Sequence, residues 1–153
     1  MKNFPWQKRK EFFTQEQNER LVDAIKMAEK ETSGEIRLYV ESKSPAKEPV
    51  DRAKELFLKL KMDKSQLHNA TLIYVAVKHR QAAVYGDDGI HREVGEKYWQ
   101  DVLAKMFLHF RQEKLVDGIC NGIEELGQAL KFYFPYNKDT DKNVLPDVIV
   151  FGK

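Results

Sequence analysis

The stretch Ala70-Thr71-Leu72-Ile73-Tyr74-Val75-Ala76-Val77 constrains this chain more than any other part of it. Its length suits a strand, it is rich in β-branched residues, and it does not alternate as a half-solvated strand would. Such a run reads as a strand covered on both faces, central in a sheet with helices above and below it.

The neighbouring segments supply those covers. Thr14 followed by Gln17 has the form of a capping box, so a first helix is predicted from there to about Glu31. Leu21, Ile25 and Ala28 line one side of it, and Thr32-Ser33-Gly34 stops it. Residues 35–41 alternate, with Ile36, Leu38 and Val40 on one face and Arg37 and Tyr39 on the other, and are predicted to form a strand. A loop over 42–49 contains two prolines, and Pro49 takes the first position of a second helix striped by Val50, Ala53, Phe57 and Leu60. Past the central strand, Lys78-His79-Arg80 is a short polar break, and residues 81–85 return as the second arm of a hairpin. A third helix is predicted over about 91–111, with Val94, Tyr98, Val102, Met106 and Phe110 four apart. A fourth starts near Lys114, turns Val116, Ile119, Ile123, Leu126 and Leu130 inward, and ends by Phe134-Pro135. Val148-Ile149-Val150-Phe151 fits a short edge strand or a strip packed on the body.

This order of elements buries its apolar faces best as an α/β three-layer αβα sandwich, a small mixed central sheet of about four strands with helices on both faces. The chain divides into an N-terminal arm over 1–12, the αβα domain over 13–134 and a C-terminal tail over 135–153 packed on the domain. Its 26 basic and 24 acidic residues leave a net charge of +2, so no global field selects a polyanion and nucleic acid is not an expected partner. No run approaches the roughly 20 apolar residues of a membrane span, and no apolar segment follows the N-terminal lysines as a secretory signal would require. The single cysteine, Cys120, excludes an internal disulfide framework and sits on the apolar stripe of the fourth helix as a core residue. The cytoplasm is the expected compartment.

Four local features together resemble the TPM domain family. They are the first helix leading to Ser33-Gly34-Glu35-Ile36, Arg52-Ala53 opening the second helix, Asn69-Ala70-Thr71-Leu72 leading into the central strand, and Val84-Tyr85-Gly86-Asp87 ending the hairpin. The likeness is to the stand-alone bacterial type. Members of the family include a thylakoid acid phosphatase, a photosystem repair protein and a modulator of a neurotransmitter receptor, and some stand-alone bacterial members carry divalent metals on loops beside the sheet. The resemblance therefore implies a metal-binding module, with acid phosphatase activity as the alternative. Where the family commonly reads Asp-Asn-Gly before its central strand, this chain has His68-Asn69-Ala70. The missing carboxylate moves the expectation away from catalysis.

The topology places the candidate site. A hairpin turning around His79 sets residues near 69 opposite those near 88. A parallel crossover from the first strand to the central one brings Glu35 to the same end. Glu35, His68, Asn69, Asp87, Asp88 and His91 are thus the candidate metal ligands around Gly86-Asp87-Asp88-Gly89. Paired carboxylates with an amide suit calcium or magnesium, and inward-facing histidines would favour zinc or manganese. The same four residues also fit a plain turn whose aspartates cap the third helix.

Other motifs carry less. Asp139-Thr140-Asp141-Lys142-Asn143 has the first ligand spacings of an EF-hand loop, but Val144 replaces the turn glycine and Val150 the bidentate glutamate, so no calcium site is expected there. No nucleophile elbow, phosphate-binding glycine loop or His-Glu-x-x-His is present. The expected function is a divalent-metal-binding, non-catalytic accessory or regulatory module with a protein partner, and no catalytic residue is assigned. The alternative is a weak metal-assisted phosphomonoesterase using His68 or His91 as acid–base.

Overall fold

A computed structural model describes residues 12–137 and 148–152 of the chain. The expected arm up to residue 11 and the Asp139-Thr140-Asp141-Lys142-Asn143 run lie outside the described residues. Among the described residues, five helices flank one four-stranded sheet in three layers.

Helix α1 (Gln15–Glu29) begins at a complete capping box, Thr14 accepting from the Gln17 backbone and the Gln17 side chain accepting from Thr14. Strand β1 (Glu35–Glu41) follows, then α2 (Pro49–Lys59) with proline in its first turn and a single 3-10 turn at Met62–Lys64. Strands β2 (Ala70–Ala76) and β3 (Gln81–Gly86) form the expected hairpin. Then come α3 (Asp88–Val94), α4 (Glu96–Phe110), α5 (Leu115–Tyr133) and β4 (Ile149–Phe151).

The sheet order is β3-β2-β1-β4, with β2 and β4 parallel to β1 and β3 antiparallel to β2. Every residue of β2 is buried, as its apolar run demands. Alternation divides the sheet between two cores. Ile36, Leu38, Val40, Ile73, Val75 and Val84 pack against α1, α4 and α5. Leu72, Tyr74, Ala76 and Ala83 pack against Ala53, Leu56, Phe57 and Met62 on the other face. Val50 is 49% exposed, and Leu56 takes the place expected for it in the buried stripe of α2.

The predicted third helix is two helices. Gly95 has φ +81° and ψ 167°, a region open essentially only to glycine; it caps the end of α3 and leads into α4. The four-residue spacing hid this break because α4 keeps the same apolar face from Tyr98 to Phe110. The first turn also starts earlier than expected, at Asp88.

Candidate functional site

One end of the sheet gathers the start of β1, the start of β2 and the end of β3. Glu35 pairs with Ala70 in the parallel ladder, and Thr71 pairs with Gly86 in the antiparallel one. The Asp87 N–H donates to the Ala70 carbonyl at 3.0 Å, extending that ladder into the loop. Equal steps from the hairpin turn thus bring the 68–70 and 86–88 segments together, as the sequence requires.

Asp87 is 8% exposed and caps α3. Its Oδ1 accepts from the Asp88 N–H at 2.8 Å, and its Oδ2 lies 3.1 Å from His68 Nδ1. Both carboxylate oxygens therefore have partners. Asp88 is exposed at the first position of the helix. The two flanking glycines answer to space, not to backbone conformation. A Cβ at Gly86 would stand 2.3 Å from Trp99 Cη2, and one at Gly89 would stand 2.2 Å from the Leu67 carbonyl oxygen. The close approach at Gly89 lets the Ile90 N–H donate to the His68 carbonyl at 3.2 Å. His68 reaches this position in the left-handed region, at φ 51°.

The remaining expected ligands have separate engagements. Asn69 is buried, and its amide donates to Ser33 Oγ at 3.2 Å. The Glu35 carbonyl accepts from Thr71 Oγ1 at 3.3 Å, and its side chain is half-buried at the same end. His91 Nδ1 accepts from Trp99 Nε1 at 2.8 Å, with the two rings stacked. The structure thus joins Asp87 to Asp88 and His68, and gives Asn69 and His91 other partners. Among the described residues, no three His, Cys, Asp or Glu side chains converge as a ready metal cage. The Tyr85 phenol is pushed above its ordinary pKa, first by burial and then by the charges of Asp88 and Asp87, so the loop's field reaches into the hairpin.

A family model for the TPM domain matches residues 7–129. The chain belongs to the TPM domain family. The solved structure of the BA42 protein from the psychrophilic bacterium Bizionia argentinensis is 43% identical, with a TM-score of 0.83 over 94% of this chain and 97% of that one. The N-terminal domain of the cg2496 protein from Corynebacterium glutamicum is 13% identical (TM-score 0.62, 78% of this chain and 74% of that one). The N-terminal domain of a protein from P. gingivalis is 16% identical (TM-score 0.65, 80% and 78%). The last two likenesses are of fold alone. No curated protein matches the chain.

This TPM domain has a second polar cluster, at the opposite end of β1, that sequence reasoning missed. Glu41 is 4% exposed and receives Arg52 in a two-pronged ion pair, Nε to Oε2 at 2.9 Å and Nη2 to Oε1 at 3.0 Å. The Tyr74 hydroxyl donates to the same carboxylate, and the guanidinium lies over the Tyr39 ring. Arg52 is raised further above its usual range, chiefly by its hydrogen bonds to Glu41. The signal was present: a glutamate closing a buried strand, with an arginine in the first turn of the next helix. The cluster pins α2 to the sheet. The Lys78-His79-Arg80 turn is exposed at this same end, with His79 Nδ1 accepting from the Ser44 N–H at 3.0 Å.

Core filling accounts for Trp99 and much of Tyr98, Phe107 and Phe134. Phe132 (77% exposed), Tyr133 and Tyr136 instead face solvent. The backbone that carries them reaches the lead-in of β1, since the Ser33 N–H donates to the Phe134 carbonyl and the Tyr136 N–H to the Glu31 carbonyl. Among the described residues, no helix is long and apolar enough to cross a membrane.

Proposed function

We propose that this TPM domain is a non-catalytic accessory module whose Asp87-Asp88 loop takes a divalent cation and whose aromatic face meets a protein partner. The observation that carries this reading is Asp88, an exposed carboxylate beside the capping Asp87, at the end where Glu35 begins β1 and Asn69 leads into β2. Asp87 already has partners on both oxygens, so the donors do not form a closed cage. A hard cation that keeps part of its water shell suits such an open, oxygen-rich loop. Zinc, which favours three or four fixed protein ligands, suits it less, because His91 Nδ1 is committed to Trp99. Calcium or magnesium is therefore favoured, in a cytoplasmic setting, with Phe132, Tyr133 and Tyr136 as the partner face.

Titration of the full chain with calcium, magnesium, manganese and zinc, followed by calorimetry and amide NMR, tests the proposal. Hard cations are expected to shift residues 67–69 and 86–91, and Asp88→Ala is expected to weaken the effect without unfolding the chain. Silence from every cation in the wild-type protein would sink it.

One observation favours a second reading, weak phosphomonoester hydrolysis. The His68 side chain is 56% exposed while Asp87 orients its ring, the arrangement of an acid–base residue and its orienting carboxylate. Turnover of an aryl phosphate that chelator and His68→Ala both abolish would support this alternative.

A further inference from the structure

The opposite end of the molecule holds a cavity of about 450 Å³ that the acidic loop does not touch. It opens where the last turn of α4 and the first residue of α5 stand off the carboxyl end of β2. Val75, Val77, Phe107, Phe110 and Leu115 are among its lining, and Arg80, Arg111 and Glu113 are its charged groups. Its volume falls in the range of small-molecule sites, roughly 300–1,000 Å³.

The aromatic wall is fixed by packing. Phe107 and Phe110 meet edge to face at 5.2 Å, and a Cβ at Gly118 would stand 2.5 Å from Phe110 Cε1, so that ring sits directly on the α5 backbone. Two turn residues bring charge to the mouth. Arg80 and Glu113 both occupy the left-handed region, at φ 54° and 61°, and their side chains meet at 3.7 Å. That pair is 84% and 80% exposed, so it is loosely held and solvent-screened. Arg111 adds a second guanidinium, leaving two positive charges against one negative over an apolar interior.

We propose that this cavity binds a small apolar molecule with one anionic head, of the class of medium-chain fatty carboxylates. The hydrocarbon would lie against Phe107, Phe110 and Leu115, and the carboxylate would sit between Arg111 and Arg80. A neutral ligand would fill the same space but leave the guanidinium pair unused. This goes beyond the cation-binding reading and is independent of it, being at the other end of the sheet.

The test is amide NMR titration of the full chain with octanoate, octanol and acetate. Octanoate is expected to give saturable shifts confined to residues 75–81, 107–111 and 115, and to bind about tenfold more tightly than octanol. Acetate is expected to give no saturable shift there. Arg111→Gln with Arg80→Gln, two exposed changes that spare the core, is expected to bring octanoate down to the affinity of octanol. Leu115→Trp, which fills the cavity, is expected to abolish both. Equal wild-type binding of octanoate and octanol, or octanoate shifts spread over exposed apolar residues such as Met27 and Phe132, would overturn the proposal.

Discussion

His68 Nδ1 lies 3.1 Å from Asp87 Oδ2, so the residue preceding the buried Asn69 is tied to the cap of α3. Where a carboxylate at this position would repel Asp87, an imidazole satisfies it. The contact links the lead-in of β2 to the loop ending β3, and it gives the two aspartates different work. Asp87 holds the local fold, and Asp88 faces solvent.

That division is measurable. Asp87→Ala removes the helix cap and the His68 partner together, and is expected to cost about 1–2 kcal/mol. Asp88→Ala, at an exposed first-turn position, is expected to stay within about 0.5 kcal/mol of wild type. Urea denaturation of the two variants, without added metal, checks both. Equal losses would show that Asp87 is not the structural member of the pair.

The glycines flanking the aspartates should fail in different ways. At Gly86 the obstacle is the Trp99 ring, which can tilt, so Gly86→Ala is expected to cost about 1–3 kcal/mol and to break the Trp99–His91 hydrogen bond. At Gly89 the obstacle is backbone, the Leu67 and His68 carbonyls, which cannot yield without moving the loop. Gly89→Ala is therefore expected to be the more damaging. Tryptophan fluorescence should change with Gly86→Ala, and amide shifts at residues 67–69 with Gly89→Ala.

Much of this geometry was legible in the sequence, for identifiable reasons. The apolar run at 70–77 forced a central strand, and the hairpin arithmetic around His79 then placed His68 and Asn69 beside Asp87 and Asp88 without coordinates. Side-chain direction was not legible. Neither the turn of His91 toward Trp99 nor the Asn69 amide donating to Ser33 follows from residue order, so the sequence gathers the six donors at one end of the sheet but not the partners their side chains take there. The Glu41–Arg52 pair escaped because the 42–49 loop between its partners reads only as a proline-rich connection, which does not show that the two ends meet in space.

Gly95 shows how periodicity can mislead. Apolar spacing of four suggested one helix over 91–111, yet the chain breaks at φ +81° with nothing within 4 Å of where a Cβ would be. The cost of Gly95→Ala is therefore one of backbone alone, expected at about 1–3 kcal/mol. A urea midpoint unchanged by the substitution would show that α3 and α4 can run on as one helix, as the spacing implies.

The Tyr74–Glu41 hydrogen bond sets an alkaline limit on stability. Burial, and next the bond to Glu41, raise the Tyr74 phenol well above the ordinary value of 10.0. Between that value and the raised one, the unfolded chain has released the phenolic proton while the folded chain keeps it. The folded state then binds more protons, so stability falls as pH rises. Tyr74's contribution is complete below about pH 10 and is lost as pH climbs through the folded value. Tyr74→Phe should be less stable than wild type at neutral pH by about 1–3 kcal/mol, because Glu41 loses a donor. Phenylalanine does not titrate, so the gap between the two proteins should narrow above about pH 10. Urea midpoints of both proteins from neutral pH upward measure it. A gap that stays constant through the alkaline range would mean that Tyr74 is not the titrating group.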